Sequence, residues 1–404
     1  MNEVKALKPG WRHVKFGDVV RLSKARSQDP LAEGIERYVG LEHLEPGDLR
    51  IRSWGSVSDG VTFTSMFQPG QVLFGKRRAY QRKVAVADFS GVCSGDIYVL
   101  ETKDAQVLLP ELLPFICQTD AFFDHAVGTS AGSLSPRTNW TSLADFEFAL
   151  PPIEEQSRLI KALTAARESI EAYRALELST DRLLKAELDV LLHQNMIKQL
   201  YEGKEAKLPE GWKVATLGDV LNRITYGFTN PMPTTDEGPW MVTAKDVANG
   251  SINFETARRT SLKAYKELLT DKSRPNIGDV LITKDGTLGR VGVVETDNLC
   301  INQSVALLQP NDLIRSRFLA WSLQAPTMQW RLLQDAGGSA IKHLYITKIA
   351  ETKFALPPIE TQDTVLEIIE SSSHAIQKIG TRRIELTRNL GLMLESMGGE
   401  HGVH

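Results

Sequence analysis

Gly75–Lys83 reads GKRRAYQRK and holds five cations, Lys76, Arg77, Arg78, Arg82 and Lys83, around one aromatic ring, Tyr80. No Asp or Glu occurs between Gly60 and Ala87. Cations at this density contact phosphates, and a guanidinium can meet both acceptors of a guanine edge in the major groove. A run of charge is equally at home in a solvated loop. Further along, Lys284 and Arg290 align with Lys76 and Arg82, but DGTLG, with Thr287 at its centre, replaces the residues between them. A common basic frame with varied contents suits two readers of different sequences. Tyr226 and Thr229 in YGFT, Lys342 in KHLY and Arg137 in SLSPR are weaker candidates for the same chemistry; each alone is an ordinary loop.

Catalytic patterns nearly match and fail. Gly70, Gly75 and Lys76 have the spacing of a nucleotide phosphate loop, but Arg77 stands where a Mg²⁺-binding Ser or Thr is needed, and QVLF between the glycines reads as strand. Asp88 with Glu101 and Lys103, and Asp335 with Glu351 and Lys353, supply the residue types of a metal-dependent nuclease. That pattern is short, and the two versions do not align with each other. No GxGxxG follows a strand, and the eight His and three Cys show no metal-ligand spacing. The expectation is a chain with no catalytic residue, no metal site and no bound cofactor.

Composition narrows the class. With 404 residues, 42% hydrophobic, there is room for two or more domains with their own cores. A net charge of −3 argues mildly against bulk nucleic-acid binding, so any basic surface must be local. No apolar run reaches the length of a membrane helix and no signal peptide opens the sequence. Cys93, Cys117 and Cys300 form no disulfide framework, so a reducing, cytoplasmic setting without a membrane partner is expected.

The elements that must position the basic stretches occur twice. FALPPIE stands at 148–154 and again at 354–360; Gly10, Trp11, Gly17 and Asp18 correspond to Gly211, Trp212, Gly218 and Asp219. A repeat near half the chain length governs the architecture. Each copy opens with short β-type runs: Arg37–Leu41, Val61–Thr64, Val72–Phe74, Val84–Ala87 and Ile97–Leu100 in the first, and Trp240–Thr243, Val280–Thr283, Val291–Val294 and Ser304–Leu307 in the second. Helical stretches follow at Leu112–Ala126 and Leu313–Leu333, the latter broken near Pro326. Trp11 and Trp212 read as packing anchors where each head begins.

After each PPIE the composition turns to helix formers with no interior proline. Leu163, Ala166, Ile170, Tyr173, Leu176, Thr180, Leu184, Leu188 and Leu191 recur at three- and four-residue steps; so do Leu366, Ile369, Ser373, Ile376, Ile379, Arg383, Leu386, Leu390 and Met393. Such a stripe is a seam for another helix. The expected fold class is α+β: two mixed heads, 1–151 and 204–357, each followed by a helical rod, 152–203 and 358–404. Because the first rod leads into the second head, the rods should pack as an antiparallel coiled coil. The result is a dumbbell with pseudo-twofold symmetry and chain ends close together.

A β-rich head entered through GW and GD, a PGQVLFGKRRAY core and an exit through LPPIEEQ into a long helix, all done twice, resembles the specificity subunit of type I restriction-modification enzymes. The resemblance implies two target-recognition domains, each reading half of a bipartite, asymmetric site in double-stranded DNA. It implies conserved helical spacers that set the gap and dock two modification subunits. Those partners carry S-adenosylmethionine and methylate adenine, and restriction subunits cleave with ATP and Mg²⁺, leaving this chain non-catalytic. The alternatives are a DNA nuclease or methyltransferase acting alone, and a two-headed protein-binding adaptor.

Overall fold

The computed structural model describes residues 7–398 apart from Ala206, Asn249, Asp335 and 338–341. It divides into two compact units, residues 1–174 with 381–404, and residues 175–380. In the first unit, strands Val20–Leu22, Ile97–Thr102, Val72–Gly75 and Val84–Val86 form an antiparallel sheet in that order. A second sheet runs Gly55–Ser56, Arg37–Val39, Gly91–Cys93, Ser65–Phe67, with Arg37–Val39 and Gly91–Cys93 parallel. The second unit repeats the plan. Leu221–Tyr226, Val305–Pro310, Val280–Thr283 and Val291–Val293 make the antiparallel sheet. Thr235–Val242 lies between Arg258–Arg259 and Leu299–Ile301, parallel to the latter.

Val72–Phe74, Val84–Ala85, Val280–Thr283 and Val291–Val293 are buried on both faces, which is why they read as unbroken apolar runs. Val61–Thr64 was expected as strand but is not one: pairing begins only at Ser65, opposite Cys93. The expected helix Leu112–Ala126 is split. Thr119 accepts the Phe122 N–H (3.3 Å) and so caps a new helix, Asp120–Gly128, after Leu113–Ile116. The break before Pro326 is present, between Ser316–Gln324 and Pro326–Gln334.

The repeated heptapeptide now has a structural meaning. FAL is the last strand of each head, pairing with the strand that follows Trp11 or Trp212 in the same register: Arg12 opposite Leu150, and Lys213 opposite Leu356. The prolines then start the rods, Ile153–Leu191 and Ile359–Gly398, with Glu154, Glu155 and Glu360 in the first turns, where the helix dipole favours acids. Two residues past PPIE a fully buried glutamine ties rod to head. Gln156 Nε2 donates to Val107 O and Pro151 O (both 2.9 Å) while its Oε1 accepts the Leu109 N–H (2.9 Å). Gln362 does the same with Leu313 O, Pro357 O and the Arg315 N–H at 2.9, 3.1 and 2.8 Å.

The stripes pack in opposite directions within each unit. Leu163, Ala166 and Ile170 share a core with Leu390, Met393 and Met397 in the first unit. Leu184, Leu188 and Leu191 share one with Val365, Leu366 and Ile369 in the second. Early residues of one helix therefore meet late residues of the other, the antiparallel pairing that the stripes imply. Two details differ from expectation. Leu176 is exposed, and the first rod breaks at His193, whose left-handed backbone (φ 49°) separates Leu191 from a short helix, Gln194–Tyr201. The His193 ring meets Trp212 edge-on at 4.5 Å, so the break serves packing and carries no glycine or proline to announce it.

Candidate nucleic-acid interface

In the first head, Val72–Gly75 is strand, so the phosphate-loop spacing has no phosphate loop behind it. The basic stretch leaves that strand, makes a tight turn at Ala79–Gln81 and returns as Val84–Val86. Arg78 and Arg82 bracket the turn with left-handed backbones, φ 54° and 56°. Non-glycine residues pay about 1–2 kcal/mol for this conformation, which glycine adopts freely. Arginine at both positions indicates that the side chains matter.

The five cations do not share one fate. Lys83 Nζ donates to Leu41 O at 2.6 Å. Arg82 pairs with Asp120 and lies over the Phe123 ring at 4.5 Å. Lys76 lies over Tyr98 at 4.6 Å, and burial lowers its pKa. These three hold the head together. Arg77 and Arg78 are half-buried, while Tyr80, within the turn, is 55% exposed.

A distant loop docks on this turn and brings Arg137 with it. Arg77 and Arg137 pair backbone to backbone, Arg78 N–H donates to Pro136 O (2.7 Å), and Thr138 N–H to Lys76 O (3.1 Å). Asp96 locks the arrangement, accepting Arg137 Nε at 2.8 Å and Arg77 Nη1 at 3.1 Å. Arg77 Nε also reaches Ser135 Oγ at 2.5 Å. Burial raises the Asp96 carboxyl's pKa, but the bonds from Arg137 and Arg77 outweigh it and leave the pKa below the ordinary carboxylate value.

The second head builds the same junction with other side chains. Leu344 N–H donates to Lys284 O (2.9 Å), repeating the Thr138 bond, and Lys284 N–H to Ser304 O (2.9 Å) repeats Lys76 N–H to Asp96 O (3.0 Å). The acid has moved into the turn: Asp285 meets His343 Nδ1 at 2.5 Å and Lys284 Nζ at 2.7 Å. Burial again opposes, and His343 and Lys284 again win, so the Asp285 pKa is lowered. Lys284 also lies 5.5 Å from the Tyr226 ring. Tyr226 and Lys284 thus come together, while Thr229, Thr287, Arg290 and Lys342 are exposed.

Replacing Asp96 by Asn should free the docked loop. Trypsin then cuts after Arg137 several-fold faster, with cleavage in residues 204–357 unchanged. Acid acts in the same direction. A carboxylate with a depressed folded pKa contributes stability that is full above its unfolded value of about 4, and that stability is lost as pH falls through the folded value. Unchanged cleavage in the Asn variant would show that Asp96 does not hold the loop.

Two of the nuclease-like residues are occupied otherwise. Glu101 binds Arg21 and Gln71, and Lys103 donates to Gly17 O; Asp335 lies outside the described residues. Among the described residues no group of three or more His, Cys, Asp or Glu could hold a metal ion, and no helix is long and apolar enough to cross a membrane. All three cysteines are buried thiols.

Sequence reading missed Asp96, whose partners are remote in the chain, and the buried glutamines. The latter had a visible signal, since PPIEEQ and PPIETQ both keep Gln at the sixth place. It also missed a head-to-rod cluster in the first unit. Asp48, 8% exposed, accepts Arg52 Nε at 2.5 Å and lies 3.7 and 3.8 Å from Arg167 and Arg174; Glu171 meets Arg52 at 2.7 Å and Arg50 at 3.9 Å.

Residues 209–388 match the family described as type I restriction modification DNA specificity domain. The chain is 24% identical over 275 residues to the Type I restriction enzyme EcoBI specificity subunit of Escherichia coli, covering 62% of this chain and 58% of that one. It is 29% identical over 169 residues to the EcoDI specificity subunit of the same organism, covering 39% and 35%. The similarity thus spans less than two thirds of either relative. A solved chain described under complex assembly and conformational transition of the type I R-M system shares the fold, with a TM-score of 0.61 at 20% identity over 97% of this chain and 98% of that one. Two α+β heads, each closed by a strand that runs into a long rod, define the architectural class. Residues 209–388, in the second repeat, thus match a type I restriction modification DNA specificity domain, and the chain is similar to type I restriction enzyme specificity subunits.

Proposed function

We propose that this chain is the non-catalytic DNA-recognition subunit of a type I restriction-modification complex. Each head reads one half of a bipartite, asymmetric site in duplex DNA. The rods set the spacing and dock two modification subunits, which supply S-adenosylmethionine chemistry; restriction subunits supply ATP- and Mg²⁺-dependent cleavage. One observation carries the reading. Both heads build the same two-loop junction with the same backbone bonds around Lys76 and Lys284, yet fill it with different side chains. A fixed scaffold with exchangeable contents is what independent recognition of two sequences requires.

Selection from random duplex DNA, with a type I modification subunit present, tests this. The chain should enrich two defined half-sites. Arg78→Gly removes a guanidinium and relieves a left-handed backbone, so the fold should be no less stable. Loss of a bidentate base contact costs roughly 1–3 kcal/mol, about 5- to 150-fold. That loss should fall on one half-site only, and Arg290→Ala should affect the other. Equal blurring of both halves would refute independent reading. Methyl transfer or cleavage by the chain alone would refute the non-catalytic role.

A further inference from the structure

We infer that Leu134 is a specificity residue of the first head, touching the 5-methyl group of a thymine in the major groove; this rests on the DNA-recognition reading above. Leu134 is 90% exposed, a hydrophobic side chain standing almost wholly in water. Single exposed leucines are common on protein surfaces and mean little by themselves. This one is singled out by its mounting.

It sits at the tip of a loop closed by reciprocal backbone bonds, Ala131 N–H to Arg137 O and Arg137 N–H to Ala131 O, both 3.0 Å. Pro136 restricts one arm, and Gly132 (φ 110°) turns the other. Ser135 is pinned by Arg77, Pro136 O by the Arg78 N–H, and Arg137 by Asp96. A fixed tip loses little conformational entropy on binding. The surroundings also choose a partner: three arginines, Arg77, Arg78 and Arg137, stand against one acid, Asp96, so the rim favours a polyanion.

Geometry selects the groove. Two arms of the loop and the backbone of 76–78, joined side by side, make three passes about 4.8 Å apart. Only the two bonded arms reach the tip that carries Leu134, and a two-stranded tip of this kind is what a major groove of about 12 Å admits and a minor groove of about 6 Å does not. In the major groove the one feature of a base edge that an aliphatic side chain can recognise is the thymine methyl.

The test uses the full chain with a type I modification subunit and the duplex that wild type selects. Each thymine in the half-site read by the first head is replaced in turn by deoxyuridine, which deletes only the methyl. One replacement should weaken wild-type binding roughly five- to tenfold, with Leu134→Ala bound equally weakly to both duplexes. Leu134→Ala should keep wild-type thermal stability and its affinity for unrelated duplex. If Leu134→Ala binds the selected site as tightly as wild type, or every deoxyuridine duplex weakens both proteins alike, the leucine contact is wrong while DNA recognition stands. Loss of modification-subunit binding in Leu134→Ala, with DNA affinity unchanged, would make this a protein-docking residue and overturn the inference. Failure of wild type to enrich any sequence would overturn the DNA-recognition reading and this one with it.

Discussion

Gln156→Ala should destabilise the first unit by about 3–5 kcal/mol, and Gln362→Ala should do the same to the second. Each side chain satisfies three backbone groups where head meets rod, and both glutamines are fully buried. Alanine leaves two carbonyls and one N–H without their partner, and a buried unsatisfied group costs about 1–3 kcal/mol. The two networks share no residue, so the effects should be separable and additive. Hydrogen exchange followed by mass spectrometry reads them independently. Gln156→Ala should release protection at Leu109 and around 153–163, leaving 313–315 and 359–369 as in wild type; Gln362→Ala should give the reverse. Undiminished protection at Leu109 in Gln156→Ala would mean that the glutamine is incidental to the junction. Glutamate should not substitute, since it brings a charge and loses the N–H donors.

Asp48→Ala should cost the first unit about 3–5 kcal/mol, the range for removing one partner of a buried ionic network. Asp48 accepts Arg52 and the Arg50 N–H (2.9 Å) and faces Arg167 and Arg174, so its loss leaves Glu171 as the only acid among four guanidinium groups. Arg167 is the most exacting of these. Burial already lowers its pKa despite the neighbouring acids Asp48 and Glu171. The double variant Asp48→Ala with Arg167→Met should recover part of the loss, because removing both charges relieves the uncompensated one. Urea denaturation of the two single variants and the double variant completes the cycle. A stable Asp48→Ala, or a double variant no better than the single, would show that the arginines are adequately solvated without the carboxylate.

The architecture was legible because its signals are local and occur twice. Buried strands such as Val280–Thr283 announce themselves by β-branched runs, and the rods by a long absence of proline after PPIE. The antiparallel pairing followed from connectivity once the two stripes were taken to pack on each other. Where the reading failed, the deciding partner lay far along the chain. Nothing near Lys83 says that its ammonium will bind the Leu41 carbonyl, or near Arg82 that Asp120 will claim it. Five adjacent cations therefore look like one patch in sequence and divide in space: Lys76, Arg82 and Lys83 go to the head's own rings, acid and carbonyl, and Arg77 to Asp96 and Ser135. Asp96 was invisible for the same reason. The Val61–Thr64 run had β character without a neighbouring strand to bond, and His193 breaks its helix to meet a tryptophan from the next head.

The division of the core between the repeats has a consequence for synthesis. The second unit is one continuous stretch, 175–380, whereas the first also needs 381–397 from the other end of the chain. A ribosome adds about 5–20 residues per second, so the roughly 200 residues between take about 10–40 s to make. For that interval the nascent first head has Leu163 and Ile170 without Leu390 and Met393 to cover them. The head made first is thus the last to be completed, and the unit most exposed to chaperones and proteases during translation is the N-terminal one.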